Sequence, residues 1–199
     1  MDPWLQRLQR DYLASSSTAR ASLAQLRRAI GKPPGSVPEV WGLTVGLVPP
    51  ELTWNRDEPS RAEQAAHAAL SLYALHQQSL RVPAHDPAVS FGAAVGRLAS
   101  SGGPSQAAIT RRFMAVATAQ TIDEVLVHVR GLVTQLKAAD RGMDYARFTD
   151  DLLNLLTPGR EAVVRLAWGR SFYRTIGEDS LDQAVEGSEA DVRDQEEIT

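Results

Sequence analysis

The chain has 199 residues, 43% of them hydrophobic, and no cysteine. That is enough chain for one ordinary domain or two small lobes with a real core, and the missing thiols exclude a disulfide framework, a zinc knuckle and a thiol nucleophile. The formal net charge of −3 is unevenly spread: residues 1–174 hold 20 basic and 15 acidic side chains, for +5, whereas 175–199 hold one basic and nine acidic, for −8.

The start, "MDPWLQRLQRDYLA", carries charges throughout, and no apolar run approaches the roughly 18 residues of a membrane span. The expectation is a soluble, cytoplasmic protein. The first well-delimited helix is predicted over residues 17–30. At about 100° per residue, Ala19, Leu23, Leu26 and Ile30 form one apolar stripe, while Arg20, Arg27 and Arg28 share an arc on the far side. Ser17 is placed to cap it. Gly31, followed by Lys32, Pro33 and Pro34, stops it, because glycine accepts the left-handed turn and proline has no donor to continue the ladder.

"GKPPGSVP" reads as a loop, the apolar "EVWGLTVGLV" as a short buried helix broken by Gly42 and Gly46, and "VPPELTWNRDEP" as a second loop. A capping box of Ser60 and Glu63 opens the alanine-rich helix "SRAEQAAHAALSLYALHQQSL", which must stop before Pro83. "RVPAHDP" and "SSGGPS" are further loops. The clearest periodicity follows Thr121, which forms a second capping box with Glu124: Ile122, Val125, Leu126, Val129, Leu132, Val133 and Leu136 recur at three and four. Two more helices are predicted in "DYARFTDDLLNLL" and "TPGREAVVRLAWGRSFYR", the latter capped by Thr157 with Pro158 in its first turn. Strand signals are nearly absent. The fold expected is all-α in two helical lobes: an irregular N-terminal lobe (1–120), a compact C-terminal bundle (121–176), and an acidic, disordered tail (177–199).

Catalytic constellations mostly fail. His67 and His76 lie nine apart, on opposite sides of one helix, and make no metal site; "GKPPG" and "SSGGPS" lack the features of a phosphate loop. Asp150 and Asp151 are adjacent on a helix and diverge. One pattern survives, Arg61 to His67 in "RAEQAAH", which resembles the arginine and histidine signature of HEPN ribonucleases, although the position after the arginine is Ala62. No cofactor is expected.

Basic residues are better placed. Besides Arg20, Arg27, Arg28 and Lys32, "TRRF" supplies Arg111 and Arg112, and Arg130 and Lys137 share the polar side of their helix; Arg160, Arg170 and Arg174 fall within an arc of roughly 80° on the last. Such arrays neutralise phosphates and release counterions. They are equally compatible with ordinary surface charge paired locally to Glu63, Asp123 or Glu161, and with a helical adaptor that binds only protein. Trp4, Trp41, Trp54 and Trp168 sit among apolar residues and are expected in the core, which leaves no aromatic platform for base reading.

The runs "LAQLRRAIGKPPGSVPEVW", "SLYALHQQS", "SFGAAVGRLA", "TRRFMAVATA", "VHVRGLVTQLK", "DYARFTDDLLNLL" and "WGRSFY", in that order over residues 18–174, resemble the CasB family, the small subunit of the type I-E Cascade complex of CRISPR defence. The resemblance implies a non-catalytic all-α subunit. It implies pairing as a head-to-tail homodimer along the guide RNA (crRNA), contact with the backbone and large subunits, and a basic surface that steadies the target and displaced DNA strands of the R-loop. It makes Arg27 and Arg28 of "LRR", Arg111 and Arg112, and Arg130 of "HVRGL" the candidate phosphate contacts, with Arg61 and Arg97 as weaker ones. The proline-rich loop near Pro49 to Pro59 and the acidic tail have no counterpart in the family.

Overall fold

The computed structural model describes the chain apart from Asn55, residues 101–105 and residues 197–199, and describes side chains of the final helix only through Glu178. Its elements are helices: α1 (Asp2–Leu13), α2 (Ser17–Arg28), short 3-10 turns at Pro38–Leu43, Val45–Leu47 and Pro50–Leu52, then α3 (Arg61–Gln77), α4 (Phe91–Ser100), α5 (Gln106–Thr118), α6 (Ile122–Ala138), α7 (Tyr145–Leu155) and α8 (Glu161–Glu196). Among the described residues the only strand-like pairing is a single parallel bridge between His85 and Met143. The all-α expectation therefore holds. No described helix is long and apolar enough to cross a membrane.

Local rules explain most boundaries. Both capping boxes form, with Ser60 and Thr121 accepting from the amides of Glu63 and Glu124 while those carboxylates reach back. The cap of α2 is Ser16 instead of Ser17, because Ser15 turns left-handed (φ 68°) to end α1 and leaves Ser16 as the extended residue before the next helix. Ile30 belongs to the turn after α2 and is only half-buried. Thr157 does not cap α8: its hydroxyl donates back to the Leu153 carbonyl at 2.8 Å, and Gly159 (φ 81°) breaks the chain before α8 starts at Glu161. The "EVWGLTVGLV" stretch makes 3-10 turns and no α-helix, since glycines at 42 and 46 interrupt it before a full turn can propagate.

α3 packs on α2, α6 and α7, α4 packs along α8, and one hydrophobic cluster runs from Leu5 to Phe172. The boundary near residue 120 thus marks a change in loop length and no gap in the core. α8 continues through Glu196; the acidic stretch it enters contains no proline, and its Leu, Gln, Ala and Glu residues favour helix. The "SSGGPS" loop lies almost entirely outside the described residues.

Three devices hold the core. Gly92 and Gly96, one turn apart on α4, let it approach α8 directly: a Cβ at Gly96 would lie 2.8 Å from the Phe172 carbonyl oxygen, and one at Gly92 would strike the Trp168 carbonyl. The rings packed around this contact include Phe91 against Trp168 (centroids 4.8 Å apart) and Phe113 stacked on Phe172 (4.3 Å). Secondly, the segment 82–89 dips into the core at Ala84, His85 and Val89, where its backbone groups must find partners. The buried Gln9 amide donates to the His85 carbonyl (2.9 Å) and accepts from its N–H (2.7 Å), and Gln77 does the same for Val82 and Ala84. Thirdly, His76 is wholly buried with Nδ1 on the Tyr145 hydroxyl at 3.0 Å.

Gln9→Ala removes both partners of the His85 backbone and is expected to cost about 3 kcal/mol, read by urea unfolding; a loss no larger than that of a surface alanine substitution would refute the clamp. His76 gives a pH dependence. Burial pushes its pKa down to about 4, opposed by a backbone bond to Arg141 and assisted by the nearby Lys137 charge. The folded form is therefore the one that resists protonation. Stability is full above the unfolded value of 6.5 and falls as pH drops from there toward 4, by roughly 3 kcal/mol from this group. Denaturation curves between neutral pH and pH 4 should show that fall, and His76→Leu should flatten it.

Candidate nucleic-acid interface

α2 ends in Arg27 and Arg28, and its amphipathic pattern buries Ala19, Leu23 and Leu26 against the core, so the arginines are turned outward. Arg20 lies two turns earlier on nearly the same face, about 10 Å along the axis. Arg20 and Arg28 are exposed, and Arg27 is half-buried. Across the surface stands α6, whose stripe Val125, Val129, Leu132, Val133 and Leu136 is buried and whose outer side carries Arg130 and Lys137.

The fold brings the expected cations of α2 and its following turn to α6 in two pairs. Lys137 lies close enough to Arg27 to feel its charge: burial, and then the Arg27 guanidinium, lower the lysine's pKa. Lys32, in the turn after α2, and Arg130 line the mouth of one groove. Arg112 of α5 lays its guanidinium over α6 at Gly131, where a Cβ would come within 2.9 Å of its terminal nitrogen. Gly131 therefore seats Arg112 on α6, a role its place inside a strong helical pattern conceals. Arg111 is exposed one residue earlier.

Two candidates lie elsewhere. Arg61 stacks over the Trp54 ring at 5.6 Å, with Arg56 at 5.3 Å from the same ring. Arg97 lines a separate cleft with Arg141, Asp86 and Asp140. Among the described residues, ion pairs join Arg10 to Asp11 and His85 to Asp2 and Asp144, and none involves Arg20, Arg27, Arg28, Lys32, Arg111, Arg112, Arg130 or Lys137. The expected local pairing to Glu63, Asp123 or Glu161 is not what this surface shows. Glu63 is engaged in its capping box.

The ribonuclease pattern does not assemble. His67 is 3% exposed, its Nε2 bonded to the Lys32 carbonyl at 3.0 Å, while Arg61 is held on Trp54. Burial lowers the His67 pKa against the pull of the Ala29 and Lys32 backbone. Asp2, His85 and Asp144 converge to within 4.8 Å. Both nitrogens of His85 are already used, Nε2 donating to Asp2 at 2.8 Å and Nδ1 accepting from the Tyr145 amide at 3.1 Å, while Asp144 caps α7. Asp151 accepts from the Trp168 indole at 2.6 Å. Among the tryptophans, Trp168 is in the core and Trp4 packs against it, but Trp41 is 48% exposed with its N–H tied to the Gly35 carbonyl, and Trp54 serves as the seat for two arginines. Sequence reading missed the groove itself. Its signal was the row Gln64, Ala68 and Ser71 on one side of α3, small or polar where the neighbouring positions are apolar.

Comparison with known proteins follows the same outline. CasB from Thermobifida fusca is 33% identical and superposes with a TM-score of 0.69 over 86% of this chain and 94% of that one. The CRISPR-associated protein Cse2 of Thermus thermophilus is 28% identical over 173 residues, which cover 85% of this chain and 86% of the relative. A chain of a CRISPR RNA-guided surveillance complex, at 22% identity, shares the fold with a TM-score of 0.67 over 92% of this chain and 96% of its own. Residues 22–173 match the family described as CRISPR-associated protein Cse2, and with that span matched the chain belongs to this family, also called CasB.

Proposed function

We propose that this protein is the non-catalytic small subunit of a type I-E Cascade surveillance complex, which holds the backbones of opened DNA strands. One observation carries the reading: Arg27 of α2 lies close to Lys137 of α6, and Lys32 of the following turn lines one groove with Arg130 of α6, with no ion pair to a carboxylate at any of the four among the described residues. Like charges brought together in this way repel, and a polyanion relieves the repulsion while releasing its counterions. In RNA-guided recognition, base pairing reads the sequence, so the protein needs only to keep separated strands from reannealing. Exchange of duplex for heteroduplex is nearly balanced, and a few phosphate contacts decide whether the loop persists.

Under this proposal the subunit sits within the crRNA-containing complex as a homodimer against its backbone and large subunits. The target and displaced strands run over the face marked by Arg27, Arg28, Lys32, Arg112, Arg130 and Lys137, with Arg20 and Arg111 extending it. Family membership supports the setting, and the cluster supports the contact.

Titration of single-stranded DNA with the protein at several salt concentrations is expected to give affinity that falls steeply with salt. The double variant Arg27→Ala/Arg28→Ala should bind several-fold more weakly, with a log–log slope reduced by about 0.7 for each phosphate no longer neutralised. Salt-independent binding, or an unchanged slope in the double variant, would defeat the proposal. Labelled RNA is expected to stay intact with wild-type protein; cleavage that disappears in His67→Ala would instead establish the ribonuclease.

A further inference from the structure

We infer that the outer face of α8 is a contact site for a second copy of this chain, formed by antiparallel pairing of two α8 helices about a two-fold axis near Tyr173. The inner face of the helix is occupied by its own domain: Val164, Trp168 and Phe172 are buried, and Gly92 and Gly96 bring α4 against the backbone at Trp168 and Phe172. At about 100° per residue, Val163, Leu166, Arg170, Tyr173 and Gly177 fall within an arc of roughly 80° on the opposite side. Val163, Leu166 and Tyr173 are 69%, 53% and 57% exposed, three of the seven large apolar side chains that stand exposed among the described residues.

A helix needs one apolar stripe to pack on its own domain. This second stripe is spaced three, four, three and four, the repeat by which two helices pair. An exposed apolar residue standing alone needs no explanation; three in that repeat on one face ask for a partner helix.

Charge selects the partner. From Glu161 to Arg174 the helix holds three arginines and one glutamate, for +2, and from Thr175 to Glu196 one arginine and eight acidic residues, for −7. A parallel pair sets basic half on basic half and acidic on acidic, whereas an antiparallel pair lays each basic half along the acidic half of the other copy. The register follows from the same helix. Arg170 and Glu178 are both exposed, and no ion pair engages either among the described residues. They lie eight positions apart, so an axis midway between them places each Arg170 level with Glu178 of the second copy and the two Tyr173 positions beside the axis. The same register brings Val163 and Leu166 level with residues 181–185 of the second copy, whose sequence "LDQAV" opens and closes on an apolar residue. One offset thus matches charge with charge and apolar with apolar. The contact is two-fold and needs no nucleic acid, so it differs from the head-to-tail pairing that the family resemblance implies and is independent of the strand-holding reading.

The test is the mass of the full-length protein, free of nucleic acid, by sedimentation velocity over a range of concentrations at low and high salt. A dimer that weakens as salt rises is expected. Arg170→Glu sets like charges across both sides of the axis and should raise the dimer dissociation constant about tenfold. Glu178→Arg should do the same, and Arg170→Glu/Glu178→Arg, which reverses both pairs, should restore it; thermal melts verify that each variant folds. A protein that stays monomeric at every concentration would overturn the α8 contact and leave the strand-holding reading intact. So would a dimer that Arg170→Glu leaves unchanged, or one that the double variant fails to restore, since pairing through another face behaves in that way.

Discussion

The arrangement depends on how closely three helices can approach α3. That helix is buried on nearly every side, and Ala62, Ala65, Ala66, Ala69 and Ala74 make up much of its surface. Small side chains let α2, α6 and α7 settle against it at short axial distance, as ridges and grooves of low relief allow. Two helices docked on one thin partner end up near each other. That is why the end of α2 and the outer side of α6, about a hundred residues apart in the chain, share one cationic surface. The isolated protein tolerates the repulsion because water and salt weaken it: two unit charges 4 Å apart interact by about 1 kcal/mol in bulk water.

The segment between α3 and α4 is governed by a different requirement. A non-helical backbone that enters the core, as at Ala84 and His85, has to be supplied with donors and acceptors, and the amides of Gln9 and Gln77 supply them from α1 and α3. The same segment pairs with residues 143–144 ahead of α7, so α1, α3 and α7 are locked together through it. Gly142 completes the joint, since a Cβ there would fall 2.8 Å from the Pro83 carbonyl. His85 belongs to this joint, which accounts for its acidic neighbours without any need for an ion.

Local information was readable where a local rule decides the outcome. The two capping boxes, the stripe of α6, the glycine stop at Gly31 and the stretch from Ser60 to Gln77 all follow from spacing and backbone preference. Where neighbours decide, sequence was silent. Arg61 and Arg112 look alike in one dimension, yet one rests on an indole and the other crosses a glycine of another helix. Trp41 sits in an apolar run, but the 3-10 turn at Pro38–Leu43 rotates it outward. Ser16 displaced Ser17 as a cap because the turn before it ends left-handed, a conformation serine seldom signals. The cationic cluster was legible as a set of charges; that its members share a surface was not, because their proximity runs through α3.

The turn that carries Lys32 is unusually constrained for an exposed loop. Gly31 and Gly35 both take left-handed backbone angles (φ 72° and 84°), two prolines stand between them, and three cross-links fasten it: His67 to the Lys32 carbonyl, Ser36 to the Pro33 carbonyl, and the Trp41 indole to the Gly35 carbonyl. Most lysines at a surface surrender backbone and rotamer freedom when they grip an anion. Here the backbone share of that loss has already been met during folding, so any anion that Lys32 binds would be gripped from a preorganised platform, with more of the interaction's strength left as affinity.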